Sequence, residues 1–290
     1  MQEFGHIGKI CGNTPLIKVS EQIYAKLETY SPTGSVKDRM ISFIVMNAIR
    51  DNKLLNCDTL CEATSGNSGI ALAAISANLG LKCIIFMPSN MSEERKQMMR
   101  VYGAEIMEAP PSDFDTAIKM RDEYLTAHTN AWSPLQFSNI DNVNCHRDIT
   151  APEIHMQVSR LHNNKWSAFV HGSGTGGTIE GIRQYVKSVA KETSVKICMV
   201  VPAEDNHGIQ GIGDGKHFLA NPTNMDALLP IKTQDAIDRA KLFAKQTGLL
   251  VGISSGANLL ASERWIKHNP CDGIVVTMLC DRGERYMSIY

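Results

Sequence analysis

The chain has 290 residues and a formal net charge of −1; 43% of its residues are apolar and 20% are charged. These values are ordinary for a globular protein of one large or two medium domains, and the charge gives no sign of a nucleic-acid or anionic-membrane partner. The longest apolar stretch, residues 70–87, is interrupted by Ser76, Asn78, Gly80 and Lys82, so we expect no membrane span there, and residues 1–10 lack the apolar core of a signal peptide.

The first half of the chain alternates short apolar runs with longer helical patterns. An alternating run at 23–28 predicts a strand, and an apolar helical pattern begins at Lys37. Asn90 and Glu93 have the spacing of a capping box for the helix that follows. The other predicted elements of this half are strand 59–65, helix 69–80 ending at Gly80, strand 83–88, helix 92–103 and strand 104–110.

The second half repeats this alternation. Its predicted elements are strand 167–173, helix 178–192, strand 196–203, helix 233–248 with Gly248 as its C-cap, the segment 249–255, a further helix and strand 273–281. Such alternation predicts parallel sheets with helices on both faces. We therefore predict an α/β fold of two doubly wound three-layer α/β/α domains, with the site in the cleft between them. One domain is residues 38–141, and the other is residues 1–37 with 142–290.

Four strand-to-helix corners are rich in small polar residues: 31–40, 62–71, 171–181 and 252–261. Small residues let backbone N–H groups approach a ligand closely, and helix N-termini favour an anion. Any single corner could be only a tight turn, but four together indicate a ligand site. The segment GSGTGGT (172–178) has the composition of a phosphate-binding loop. With Lys37 at another corner, it suggests pyridoxal phosphate held by its phosphate and by a Schiff base.

A nicotinamide-dependent dehydrogenase is the alternative from another class. Residues 172–177 also fit the G-x-G-x-x-G pattern, and Glu204 follows the next strand, where such enzymes place a ribose-binding acid. This acid comes late in the sequence, however. The alternative also leaves Lys37, Asn67 and Ser254 without a role.

Several motifs together carry a family resemblance: GNTPL (12–16), SPTGSVKDR (31–39), EATSGNSGIALA (62–73), GSGTGGTIEG (172–181), LVGISSGA (250–257) and GERY (283–286). In order and spacing they resemble the cysteine synthase (O-acetylserine sulfhydrylase) and cystathionine β-synthase family, which has the tryptophan-synthase-β-like fold type II of pyridoxal-phosphate enzymes. The resemblance covers nearly the whole chain. It implies β-replacement of O-acetyl-L-serine with sulfide, which gives L-cysteine and acetate.

The resemblance also implies roles for individual residues. Lys37 matches the lysine that carries the cofactor and acts as general base, Asn67 the residue that binds the cofactor's 3′ oxygen, and Ser254 the residue that faces the pyridine nitrogen. A serine there leaves that nitrogen largely unprotonated, which favours loss of a β-substituent. The phosphate loop matches Gly174, Thr175, Gly176, Gly177 and Thr178. The substrate-binding residues match Thr64, Ser65, Gly66, Ser68 and Gln136.

The segment QGIGDGKHF (210–218) departs from the family pattern at Asp214. Asp214 is either a turn residue or a carboxylate directed at the substrate's β-position, where it would act as a catalytic acid or base. The sequence therefore leaves the nucleophile open among sulfide, thiosulfate, homocysteine and water. The alternatives on the same scaffold are a cysteine desulfhydrase that releases hydrogen sulfide and a cystathionine β-synthase.

Partners and location follow from the resemblance and from the cysteines. The family implies a homodimer that acts on an amino-acid substrate, with serine acetyltransferase as a candidate partner. The eight cysteines form no CxxC pair, so we expect reduced thiols in a cytoplasmic protein. The nine histidines form no metal-ligand pattern, and no metal site is predicted.

Overall fold

The computed structural model describes residues 10–161, 165–191, 193–213 and 219–290. Its strands are β1 (Leu16–Lys18), β2 (Ile23–Leu27), β3 (Thr59–Ala63), β4 (Lys82–Pro88), β5 (Glu105–Ala109), β6 (Ala131–Trp132), β7 (Trp166–Gly172), β8 (Lys196–Pro202), β9 (Ala227–Ile231) and β10 (Ile274–Leu279). Its α-helices are α1 (Lys37–Arg50), α2 (Asn67–Leu79), α3 (Glu93–Val101), α4 (Phe114–Ala127), α5 (Asp141–Cys145), α6 (Ala151–Ser159), α7 (Gly177–Gln184), α8 (Thr233–Thr247) and α9 (Ile253–His268).

The described strands form two sheets. One has four parallel strands in the order β5-β4-β3-β6, and the other has six in the order β1-β2-β10-β7-β8-β9. In the second sheet only the β1–β2 pair is antiparallel. The predicted α/β fold with parallel sheets is therefore confirmed. The domain limits at residues 38 and 141 stay a prediction. β1 and β2 lie in the same sheet as β7–β10, as expected if residues 1–37 belong with residues 142–290.

The central strands are buried on both faces because helices cover both sides of each sheet. All residues of β3 and of β10 are buried. Apolar side chains of α1 and α2 pack with β3 and β4 in one core cluster, and those of α6 and α7 pack with β7, β8 and β10 in another. This packing fixes the ends of β3 and β7, which lead into two of the predicted corners.

Two local predictions need correction. Asn90 does not form a capping box, because its side chain is hydrogen bonded to Ser112, and Ser92 is the N-cap of α3. The helix predicted for 178–192 is α-helical only to Gln184 and continues as a π-helical turn, Tyr185–Val189. The segment 249–255, named without an element type in the sequence analysis, has an isolated bridge between Val251 and Arg282, and α9 begins at Ile253.

None of the helices in the described ranges is long and apolar enough to cross a membrane. Two predicted helix ends agree with the structure, because Gly80 and Gly248 have φ angles of 69° and 76° and occupy the C-caps of α2 and α8. Glycine adopts this left-handed conformation without the steric cost of a Cβ atom.

Candidate active site

The corner before α1 is held by the second sheet and by a buried carboxylate. Ser35 forms an isolated bridge with Asp281, just beyond the end of β10. The Asp38 carboxylate accepts hydrogen bonds from the Thr33 N–H at 3.0 Å, the Thr33 hydroxyl at 2.5 Å and the Ser35 N–H at 3.3 Å. Burial raises the pKa of Asp38 to about 6, although these bonds oppose the rise. The corner therefore has a fixed shape, and Lys37 is the first residue of the helix that leaves it.

Lys37 is half-buried beside the strand end of β10. Burial lowers the pKa of its amine, and the nearby Cys280 and Asp281 oppose this shift in part. A lowered pKa increases the fraction of neutral amine near neutral pH, which is the form that attacks a carbonyl group or accepts a proton. The environment of Lys37 therefore suits both a Schiff base and a general base.

One cavity brings residues of all four predicted corners together. Its lining includes seven of the sequence-predicted residues: Lys37, Asn67, Gly174, Thr175, Gly176, Thr178 and Ser254. The same lining includes His171, Gly211 and Cys280. Because these residues come from the carboxyl ends of parallel strands and from helix N-termini, the cavity lies where ligands of α/β proteins bind.

The glycine-rich loop at 174–178 is packed too closely to accept larger residues. A Cβ atom on Gly174 would lie 2.6 Å from the Gly211 carbonyl oxygen, and one on Gly176 would lie 2.6 Å from the Ala220 nitrogen. A Cβ atom on Gly177 would collide with the Asn142 amide. Gly176 also has a φ of 85°, which favours glycine. The loop thus presents backbone N–H groups at the start of α7, an arrangement that suits a phosphate.

Hydroxyl groups complete this loop. Asn142 Nδ2 donates to Thr175 Oγ1 at 2.9 Å, and Thr178 Oγ1 lies 3.2 Å from His146 Nε2. Burial lowers the pKa of His146 well below its ordinary value, with the positive charge of Lys37 as a further cause. His146 is therefore neutral and orients Thr178 without adding a charge.

Asn67, the first residue of α2, is held from both ends of its amide. Its Nδ2 donates to Asp281 Oδ2 at 2.7 Å, and Arg285 Nη1 donates to its Oδ1 at 2.6 Å. The orientation of the amide is therefore defined, and the second N–H of Nδ2 is left for a ligand. Ser254 lines the same cavity and is hydrogen bonded to Cys280, whose pKa burial raises to about 12.

Four of the five predicted substrate residues lie in the 64–68 loop, which connects β3 to α2 and includes the first two residues of that helix. Thr64 Oγ1 accepts from the Gly66 N–H at 3.1 Å, and Ser65 is exposed. Ser68 Oγ donates to Gln136 Oε1 at 2.6 Å. Gln136 Nε2 donates to the Ala63 carbonyl oxygen at 2.8 Å. In this conformation Gln136 supports the loop, and its predicted contact with a substrate stays a prediction, as do the other residue roles. Asp214 lies outside the described residues.

Sequence reasoning missed three residues at this site. His171 lines the cavity and is neutral, because burial lowers its pKa to about 3 with help from Lys37. Asp281 and Arg285 hold Asn67, as described above. The GERY motif at 283–286 indicated that this segment belongs to the site, but it did not indicate that Arg285 contacts Asn67. His171 has a weaker signal, its position directly before the glycine-rich loop.

Glu204 does not occupy a dinucleotide-binding position. It is exposed, and its two carboxylate oxygens accept from the Thr233 N–H at 3.0 and 3.2 Å. It therefore caps the start of α8, which accounts for an acidic residue after β8.

Three comparisons relate the chain to known proteins. Residues 7–281 match the family model described as pyridoxal-phosphate dependent enzyme. Cysteine synthase B of Campylobacter jejuni is 38% identical over 97% of this chain and 96% of its own length. The crystal structure of a hydrogen sulfide-producing enzyme from Fusobacterium nucleatum has a TM-score of 0.90 at 32% identity, covering 97% of this chain and 99% of that one. An O-acetylserine-dependent cystathionine beta-synthase from Helicobacter pylori has a TM-score of 0.89 at 32% identity, with 97% and 96% coverage.

Proposed function

The chain belongs to the family of pyridoxal-phosphate-dependent enzymes, and on this premise we propose that it is a cysteine synthase. The reaction is the replacement of the acetoxy group of O-acetyl-L-serine by sulfide, which gives L-cysteine and acetate. The observation that carries the proposal is the cavity in which Lys37, the 174–178 loop, Asn67 and Ser254 meet beside the 64–68 loop. The family match contradicts the dehydrogenase alternative, and so does Glu204, which is hydrogen bonded to the Thr233 N–H at the start of α8.

The residues present fit pyridoxal 5′-phosphate, the cofactor of this family. The amine of Lys37 has a lowered pKa, as Schiff-base formation requires. The 174–178 loop lines the cavity at the start of α7, and its close packing on Gly211 and Ala220 leaves no room for a Cβ atom on Gly174 or Gly176. Asn67 has a free N–H for an anionic oxygen of the ring, and Ser254 supplies a hydroxyl in place of a carboxylate. When bound, this cofactor withdraws electrons from the α-carbon of an amino acid, so that the α-proton and a β-substituent can leave.

The chain's own residues then have distinct tasks. Lys37 accepts the α-proton at Nζ, because its buried amine is a base that needs little desolvation. The 64–68 loop, at the N-terminus of α2, binds the substrate's α-carboxylate through backbone N–H groups. Acetate leaves without protonation, which fits a site that requires no separate acid for this substrate.

The test is a purified protein reconstituted with pyridoxal 5′-phosphate. Borohydride reduction followed by peptide mapping should find the cofactor on Lys37. Addition of O-acetyl-L-serine should change the cofactor's absorption spectrum and release acetate, and addition of sulfide should restore the spectrum with formation of L-cysteine. Absence of acetate release from a fully loaded enzyme would refute the proposal.

We further propose a cytoplasmic homodimer. All eight cysteines are free thiols, which suits a reducing compartment. Met46 on α1 and Ile140 before α5 are 46% and 58% exposed. Each is adjacent in sequence to a partner of the hydrogen bond from Asn47 to Asp141, and we propose that a second copy covers them. Light scattering that finds a stable monomer at micromolar concentration would contradict the dimer but not the chemistry.

Two finer features of this function stay proposals. Residues 38–141 form the domain that closes over the substrate against residues 1–37 and 142–290. Serine acetyltransferase is the candidate protein partner, through a C-terminal carboxylate that competes for the 64–68 loop. Titration with a peptide of that kind and with its C-terminal amide would test this, since only the free carboxylate should bind.

A further inference from the structure

Arg95, in the first turn of α3, is a buried cation without a carboxylate partner. Its residue is only 2% exposed, yet no ion pair in the described part of the chain includes it. Two cations on the same helix differ in this respect, since Lys96 pairs with Glu108 at 2.5 Å and Arg100 pairs with Glu93 at 2.6 Å. Burying an unpaired charge is costly, so the position of Arg95 calls for an explanation.

The guanidinium of Arg95 lies directly behind the 64–68 loop. Its Nη1 donates to the Ser65 carbonyl oxygen at 3.1 Å, and its Nε is buried without a hydrogen-bond partner among the described residues. Gly66 packs so closely on the side chain that a Cβ atom there would collide with Arg95 Cδ. The guanidinium carbon also lies 4.6 Å from the centroid of the Tyr286 ring. A carbonyl and an aromatic face compensate a positive charge only in part.

The direction of the Ser65 carbonyl matters for an anion in the cleft. A carbonyl oxygen that faced the cleft would repel a carboxylate, whereas one bonded to Arg95 faces the interior. The first N–H groups of α2 have no acceptor within the helix and carry a partial positive charge. Arg95 adds a full positive charge behind them. The loop therefore has an excess of positive potential that a bound anion would neutralise.

Arg95 is also fixed in place by the segment 283–288. Ser92 Oγ donates to the Arg285 carbonyl oxygen at 3.2 Å, and the Ser288 N–H donates to Glu94 Oε1 at 2.9 Å. These bonds hold the start of α3 on both sides of Arg95. The cation thus has one position relative to the loop, and it does not need to reorganise when a ligand arrives.

We propose that Arg95 is a positioning residue for the substrate's α-carboxylate. This proposal rests on the proposed function, because it assumes that an amino acid binds at the 64–68 loop. Arg95 turns the Ser65 carbonyl away from the cleft and strengthens carboxylate binding through its charge, without touching the substrate. It therefore selects for substrates with a free α-carboxylate.

The test compares two ligands that differ in this charge. L-Alanine and L-alaninamide have no β-leaving group, so binding to the loaded enzyme can be followed by the cofactor's absorbance without turnover. We expect Arg95→Met to weaken L-alanine binding about tenfold or more, the scale of one buried charge acting through a few ångströms of protein. L-Alaninamide binding should stay within about twofold of the wild type. Arg95→Lys should restore part of the lost L-alanine affinity.

Lys96→Met is the matched control, because it removes a buried cation from the same helix that does not contact the loop. It should leave the ratio of the two affinities unchanged. An equal loss of affinity for both ligands in Arg95→Met, or no loss for either, would overturn the proposed role. If the wild-type cofactor spectrum responds to neither ligand, the proposed function itself fails and the role of Arg95 with it.

Discussion

Substitution of Gly174 by alanine should weaken cofactor binding with little effect elsewhere. The added Cβ atom would lie 2.6 Å from the carbonyl oxygen of Gly211. That oxygen belongs to the backbone, and the same backbone segment is tied to the loop by the hydrogen bond from the Gly213 N–H to the Ser173 carbonyl oxygen, at 2.8 Å. The neighbour therefore cannot rotate away, and one of the two segments has to move.

The size of the effect follows from this distance. Relief of the contact requires a shift of about 0.5–0.8 Å, which lengthens a hydrogen bond of about 2.9 Å beyond the useful range. Hydrogen bonds to a charged group contribute about 1.5–3 kcal/mol each. Loss of one or two of them in Gly174→Ala would reduce affinity for pyridoxal phosphate about 10- to 10,000-fold.

The assay is equilibrium titration of the cofactor-free protein with pyridoxal phosphate, followed by absorbance. Gly80→Ala is the control, since a Cβ atom there meets nothing within 4 Å, but φ is 69°. Gly80→Ala should therefore lower the free energy of unfolding by about 1 kcal/mol and leave cofactor affinity unchanged. If Gly174→Ala binds the cofactor like the wild type, the 174–178 loop does not hold the phosphate.

Three further predictions concern the lysine and the charge network behind it. Lys37→Ala should retain no cofactor after borohydride treatment and should release no acetate, as mass spectrometry and an acetate assay would show. Arg39→Met should lower the free energy of unfolding in urea by about 3–5 kcal/mol, because it leaves Glu28 and Glu153 buried without their guanidinium partner. As a control, Arg50→Met at an exposed position should lower it by less than about 0.5 kcal/mol. Equal losses in the two variants would contradict a stabilising role of this network. Burial alone would raise the pKa of Glu153, but the adjacent Arg39, and after it Lys26, lower it to about 2 from an ordinary 4.5. Its contribution to stability is therefore complete above pH 4.5 and should be lost as pH falls towards 2. This loss should be smaller in Arg39→Met, in which Lys26 still pairs with Glu153.

Local patterns predicted the elements that carry the site, because strand-to-helix corners are encoded by adjacent residues. The corners at 62–71 and 171–181 combine a buried strand, small residues and a helix start, and all of these signals lie within a few positions. The missed strands lack them. β6 has only two residues, and β9 contains Pro230, which is tolerated because β9 lies at the edge of its sheet.

Contacts between distant residues could not be predicted. The capping box at Asn90 failed because Ser112 competes for the side chain, and the spacing of Asn90 and Glu93 contains no information about Ser112. Likewise, Arg95 lies on a helix rich in charged residues, which the sequence does not distinguish from an exposed helix. Only the fold brings Arg95 into contact with Gly66 and Tyr286. Seven residues that line the cavity were therefore found, whereas His171 in the same lining was missed, as were Asp281 and Arg285, which orient Asn67.

We propose that Asp214 separates the possible reactions of this scaffold. Acetate is a stable anion and leaves without a proton, but the thiol of cysteine and the hydroxyl of serine need an acid to leave efficiently. A carboxyl group that supplies this proton would act on cysteine and serine and not on O-acetyl-L-serine. We propose that Asp214 is this acid. A turn residue would not affect cysteine and serine differently from O-acetyl-L-serine, so the two roles can be distinguished by substrate.

Asp214→Asn should accordingly spare acetate release from O-acetyl-L-serine and reduce hydrogen sulfide release from L-cysteine about 100-fold or more, the usual scale for loss of a general acid. Asp205→Asn is the matched control, since Asp205 is an exposed carboxylate close by in the sequence, and it should leave both rates unchanged. Acetate and hydrogen sulfide would be measured with the same loaded enzyme, so that a folding defect reduces both rates together. Equal small effects on both substrates would mean that Asp214 is a turn residue. The chain would then be a cysteine synthase in which Asp214 supplies no proton to the leaving group.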